Sequence, residues 1–144
     1  MTAQLEGSIS LDRLISFKDL EIGSTNSPVG ICTLWTQRHL ISSRLDKADF
    51  FICANLYSFA GISLMARNIF MFPQIRYLIL CGADQSNTGE ALATLFEHGP
   101  GPNLSIPGTQ AKLDEGIPLE AWKLFFNQIE LIDLRPIKGG PKNP

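Results

Sequence analysis

The sequence has no basic excess, no long apolar run and no metal-ligand spacing, and each absence removes a class of function. Twelve Lys and Arg stand against 14 Asp and Glu, for a net charge of -2, and no cationic cluster breaks the balance. A protein that grips a phosphate backbone normally shows a basic face, so no nucleic acid partner is expected. The longest apolar stretches fall well short of the ~20 residues that span a bilayer. The first residues carry acidic side chains and no apolar h-region, unlike a secretory signal. The expectation is therefore a cytoplasmic protein with no membrane association. Cysteine is scarce and odd in number, with Cys32, Cys53 and Cys81 but no CxxC; reduced, buried thiols are expected. His39 and His98 stand alone, without HxxxH, HExxH or Cys/His spacing, so no metal site and no catalytic residue is assigned. Neither GxGxxG nor GxxxxGK[ST] occurs, which leaves any nucleotide signal weak. There is no internal repeat.

What is present is a core. At 144 residues and 44% hydrophobic, the chain can build one well-filled domain. Residues 71–92 organise it. After Pro73, residues 75–81 form a short, nearly continuous apolar run, as a strand buried on both faces reads. Gly82 then opens a polar loop over 83–88, and a helical pattern starts near Gly89. Before it, residues 29–35 and 49–54 read as strands. Helices are expected from Thr36 towards Lys47 and from about Phe59 to Phe70. After it come a helix over 89–96 that stops at His98-Gly99, and a short strand over 104–106. A loop over 109–118 is expected to cover the sheet's carboxyl edge, followed by a helix over 119–127 and an edge strand over 129–134. Strands alternating with helices imply right-handed crossovers and parallel pairing. The fold expected is a Rossmann-like three-layer α/β sandwich with a mostly parallel sheet. Residues 1–27 read as an N-terminal arm with weak helical spacing, 28–135 as the domain, and 136–144 as a flexible tail or linker.

Ligands of such sheets bind outside the carboxyl ends of the strands, where the strand order reverses. The first strand end offers Trp35, Thr36, Gln37 and Arg38, the second Asn55, Tyr57 and Ser58, and the third Gly82, Asp84, Ser86, Asn87, Thr88 and Gly89. The helix start at Gly89 has free N–H groups for an anion. Asn87 with Glu90 has the form of a capping box. Arg38 could add charge, and Trp35 or Tyr57 could stack on a flat ring. The competing reading is that the hydroxyls and amides only cap helices. Cys81, beside a helix start, could have a lowered pKa, though a structural thiol is the simpler reading.

Four blocks carry a resemblance: PVGICTLWT, NLYSFAGISLMARNIF, FPQIRYLILCGADQSNTGEAL and NQIELIDL. Over residues 28–134 the chain resembles the corrinoid-carrying A subunit of tetrahydromethanopterin S-methyltransferase. It is similar at least as much to an uncharacterised domain that accompanies some thymidylate synthases, in which LYS-x-x-GI, P-x-IRYLILCG and TGEAL recur. The first resemblance implies a Rossmann-like corrinoid carrier, with methyl transfer from a pterin to coenzyme M through cobalt. It also implies a cobalt-ligating histidine in a G-H-x-T-G setting after the LILCG strand. Here that loop is shorter and reads Ser86-Asn87-Thr88-Gly89. The second resemblance implies work beside thymidylate synthase or folate-linked one-carbon metabolism. Three readings follow. The leading one is an accessory α/β domain that binds a small molecule, with corrinoid, pterin or folate, and nucleotide as possible ligands. The alternatives are a corrinoid-dependent methyltransferase component that binds its cofactor base-off, and a homo-oligomerisation domain that buries Phe50, Phe51, Phe70 and Phe72 against a partner.

Overall fold

A computed structural model describes residues 20–136. Five strands, β1 (Leu20–Ile22), β2 (Val29–Cys32), β3 (Ile52–Ala54), β4 (Tyr77–Leu80) and β5 (Glu130–Asp133), form one sheet in the order β1-β3-β2-β4-β5. β3, β2, β4 and β5 run parallel, and β1 pairs antiparallel with β3. The helices are α1 (Arg38–Ser42), α2 (Phe59–Phe70), α3 (Thr88–His98) and α4 (Leu119–Gln128). From β2 the chain moves to β3 on one side, then crosses back over β2 to reach β4. With right-handed crossovers, that reversal puts α1 on one face and α2 on the other. Accordingly α1 packs on β1 and β3, whereas α2, α3 and α4 pack side by side. The three-layer α/β expectation holds.

The central strands alternate between two cores. Cys32, Leu78 and Leu80 face the helical layer of α2, α3 and α4, in one cluster with Ile62, Leu92 and Trp122. Ile31 and Ile79, paired across β2 and β4, face the α1 side with Phe50 and Cys53. In α2, Ile62, Ala66 and Ile69 recur at helical spacing and are buried. Ser58 caps that helix by accepting from Gly61 N, and Pro73 follows its end. α3 stops where expected: Gly99 adopts φ +80 and its N–H donates to Leu95 O at 2.8 Å.

Several elements differ from expectation. β2 ends at Cys32, because Leu34 turns inward at φ 54 and is completely buried. The helix expected from Thr36 shrinks to α1, and part of the strand expected over 49–54 is a single 3-10 turn, Lys47–Asp49. Residues 104–106 form no ladder; a 3-10 turn covers Pro102–Leu104, and one isolated bridge joins Ser105 to Lys112. The loop over 109–118 does not cover the carboxyl edge. Asp114 N donates to Ser63 Oγ and Arg67 bonds the Asp114 carboxylate, both on α2, while Leu113 and Ile117 enter the core. Residues 20–22, read as part of an arm, contribute the edge strand β1. The helical spacing expected over residues 11–17 and the tail beyond 136 lie outside the described residues. The aromatic oligomerisation surface is also corrected: Phe50, Phe51 and Phe72 are core residues, and only Phe70 is exposed. Phe50 and Phe51 are adjacent, so they point to opposite faces and fill both cores.

Candidate functional site

The strand order reverses between β2 and β4, so the crevice outside their carboxyl ends is where a ligand of this fold would sit. Two loops, 33–37 and 81–87, meet there and are stitched together. Trp35 N donates to Ala83 O (3.0 Å), and Ala83 N donates to Thr36 Oγ1 (2.9 Å). Gly82 makes this approach possible at φ +85. At the end of β3, the Asn55 amide donates to the carbonyls of Leu34 (2.8 Å) and Thr36 (2.6 Å), and its oxygen accepts from Arg38 at 3.0 Å. Glu21 of β1 lies 3.9 Å from Arg38 and bonds the Ser42 hydroxyl. Thr36 and Arg38 are thus committed to holding the loops.

Trp35, Tyr57 and Ser86 come together across the crevice. The two rings meet edge to face with centroids 4.9 Å apart. Trp35 Nε1 donates to Ser86 Oγ (3.2 Å), and the Ser86 hydroxyl donates to Tyr57 O (2.9 Å). The remaining contact, 2.7 Å between Ser86 and Thr88, then has Thr88 as donor, because Ser86 has one proton to give. The Ser86 hydroxyl therefore gives its one proton and accepts two bonds within the chain.

The capping box expected from Asn87 and Glu90 does not form. Asn87 sits at the N-cap with φ 65 and makes no side-chain cap bond. Asp84 caps α3 from further back, accepting from Gly89 N at 3.0 Å and Glu90 N at 2.9 Å. The helix amides read as an anion site already hold a carboxylate. Arg135 completes the cluster, reaching Asp84 (3.1 Å), Glu90 (3.3 Å) and Asp133 (2.7 Å). Asp84 and Arg135 are only 15% and 16% exposed, so this pair is shielded from solvent. Hydrogen bonds from Arg135 hold the Asp133 carboxyl below its usual range. Arg135, at the far end of the domain, went unassigned by sequence reasoning; its place at the end of the last strand was the available signal. Gly89 is buried, and a Cβ there would lie 2.8 Å from Leu34 Cδ1 and 2.9 Å from Asp84 Oδ2, so it serves packing.

The thiols are inert by environment. Burial pushes Cys32 and Cys53 up to about 12 and raises Cys81 as well, opposite to the lowered value considered for Cys81. Native protein at pH 8 is expected to resist iodoacetamide at all three and to take three labels in guanidinium. Rapid labelling of the native form would show an accessible thiolate. Among the described residues, no group of three or more His, Cys, Asp or Glu could hold a metal ion, and no helix is long and apolar enough to cross a membrane. His39 is exposed on α1, and His98 ends α3, on the side of the sheet away from the crevice.

Beside the crevice, a cavity of about 320 Å³ lies between α2 and the sheet. Gly30, Cys32, Ile52, Ala54 and Leu78 line it from the sheet, Leu64 and Met65 from α2, and Tyr57 and Ser58 stand among its lining residues. Of the candidate site residues, only Asn55, Tyr57 and Ser58 line it.

Residues 14–138 match the family model MtrA, which describes the A subunit of tetrahydromethanopterin S-methyltransferase. The chain belongs to this family. Methanobrevibacter ruminantium has two such relatives, named as the first and second A subunits of its methyltransferase. The first is 35% identical over 123 residues, covering 81% of this chain and 49% of the relative. The second is 34% identical, covering 81% and 62%. The corresponding protein of Methanocaldococcus jannaschii is 30% identical over 119 residues, covering 78% and 48%. The match thus covers between 48% and 62% of the length of these relatives. They bear out the first of the two resemblances; none of the three is a thymidylate synthase-associated domain.

Proposed function

We propose that the chain is a non-catalytic member of the MtrA family that binds a compact, mostly apolar molecule and acts within a methyl-transfer or folate-linked one-carbon assembly. The cavity beneath α2 carries this reading. On the sheet side the small Gly30, Cys32 and Ala54 of β2 and β3 stand beside Ile52 and Leu78, and their size leaves room where longer side chains would otherwise pack. At about 320 Å³ it lies at the lower end of small-molecule sites. The assembly part rests on relatives that are themselves named as subunits of a methyltransferase. The folate link rests on the LYS-x-x-GI and TGEAL blocks. Family membership alone, apart from the residues at the crevice, raises a second reading, a corrinoid carrier that binds base-off; a retained corrinoid mass with visible absorbance would support it.

Native mass spectrometry of the freshly purified full chain tests the first reading. A bound mass on the order of a few hundred daltons or less is expected. Gly30→Val should abolish it while keeping or raising the melting temperature. A Cβ at position 30 meets Leu78 Cδ1 at an ordinary 3.4 Å, and replacing glycine inside a strand is worth about 0.5–1 kcal/mol. Bare wild-type protein, or equal binding by the filled variant, would remove the ligand from this cavity.

A further inference from the structure

We infer that the crevice at the carboxyl ends of β2 and β4 is closed by the chain's own side chains and excludes a corrinoid. The group does not fit the residues present. A corrinoid whose cobalt takes its ligand from the protein needs an imidazole beside the crevice, and the loop after β4 supplies Ala83, Asp84, Gln85, Ser86 and Asn87. Neither histidine lies on it. The loss of a ligand is only half of the observation. Two features fill the place a cofactor would take.

The first is a lid. Trp35 leans edge-on against Tyr57, and Ser86 ties both to the loop after β4, accepting from the indole and donating to Tyr57 O. Three strand ends are thereby joined across the crevice, from the segments after β2, β3 and β4. The second is a plug. An incoming ligand's anionic group would seek the free amides of α3, and the Asp84 carboxylate already occupies two of them. Arg135 neutralises Asp84 from the side of β5, so the plug is a shielded ion pair. Pulling it out would expose an acidic cluster of Asp84, Glu90 and Asp133 to any incoming anion.

Missing ligand and closed crevice make different demands, and hydroxocobalamin separates them. Wild-type protein mixed with this probe should show no change in the visible spectrum, and the cobalt absorbance should elute apart from the protein on gel filtration. Asn87→His restores an imidazole at a position already held at φ 65, a region that histidine tolerates better than most residues. The crevice stays closed in that variant, so it too should leave the probe unbound. Adding Trp35→Ala removes the indole and its bond to Ser86 but keeps the backbone bond from residue 35 to Ala83 O. The double variant should retain the probe at least about tenfold better than the single one, because a larger fraction of molecules is binding-competent. Co-elution of probe with the wild type overturns the inference. So does an imidazole-ligated spectrum in Asn87→His alone, or a double variant no better than the single one. The result is independent of the cavity beneath α2, whose own test reads a small bound mass.

Discussion

Gly82→Ala is expected to strip the domain of much of its stability. An alanine Cβ at this position would lie 2.0 Å from Thr33 O and 2.9 Å from Thr36 Oγ1. Neither neighbour can yield cheaply. Thr33 is fully buried, with its N–H bonded to Ala54 O at 2.8 Å and its hydroxyl bonded to Thr36 O at 2.9 Å. Thr36 Oγ1 receives the N–H of Ala83, the residue next to the substitution. The backbone at φ +85 adds its own penalty for any residue with a Cβ. Strain of ~1–3 kcal/mol, joined to the loss of the stitch between the two loops, brings the cost to about 3–5 kcal/mol. That is a large part of the roughly 5–15 kcal/mol by which domains are stable. Urea unfolding followed by circular dichroism would show a collapsed midpoint. A retained midpoint would mean that the loops can part without harm to the sheet.

Trp122→Ala should cost a similar amount by another route. Trp122 is fully buried, stacks on Phe126 with ring centroids 5.8 Å apart and 17° between planes, and meets Phe125 edge to face at 5.9 Å. Truncation leaves a cavity that these rings cannot all close, which costs about 3–5 kcal/mol. Its indole N–H also donates to Asp114 O at 3.3 Å, anchoring the irregular loop that carries Leu113 and Ile117 into the core. Trp122→Phe keeps most of the apolar body and should lose well under half as much. If the two variants melt together, the indole bond rather than the volume holds this corner.

Much of the fold was legible because its signals are local. The run at 75–81 has no polar interruption except Arg76 and Tyr77, which mark its start, and β4 occupies its apolar centre. α2 announces itself by a cap, a stripe and a proline. β1 was hidden because three residues at an antiparallel edge, Leu20-Glu21-Ile22, carry too short an alternation to stand out. The loop through Ile106, Leu113 and Ile117 was hidden because its buried residues follow no period; tertiary contacts place them. Phe50 and Phe51 were misassigned because two adjacent aromatics look like a patch until both faces of a strand are known to be covered. In the candidate site Trp35, Tyr57, Ser86 and Asp84 were named in advance, but their engagements, and Arg135, were not. Asp84 caps from five residues before Gly89, beyond the span of a capping box, and its partner Arg135 stands 51 residues further on. Sequence spacing cannot show that an inviting helix start is already filled.

The sheet order also has a consequence for how the chain comes to be folded. β2 is the middle strand, yet it is made early. Its pairing with β3 joins Gly30 to Ile52, whereas its other edge must wait for β4, where Val29 meets Tyr77. Until then one flank of the central strand is unsatisfied, with Ile31 and Cys32 open to water and to other chains. Non-local parallel pairing of this kind is slow and leaves a nascent chain open to aggregation. The last-made β5 can add only once β4 is in place, so assembly spreads outward from a centre that closes late. A chain emerging from the ribosome therefore has its most vulnerable interval between the synthesis of β3 and the arrival of β4.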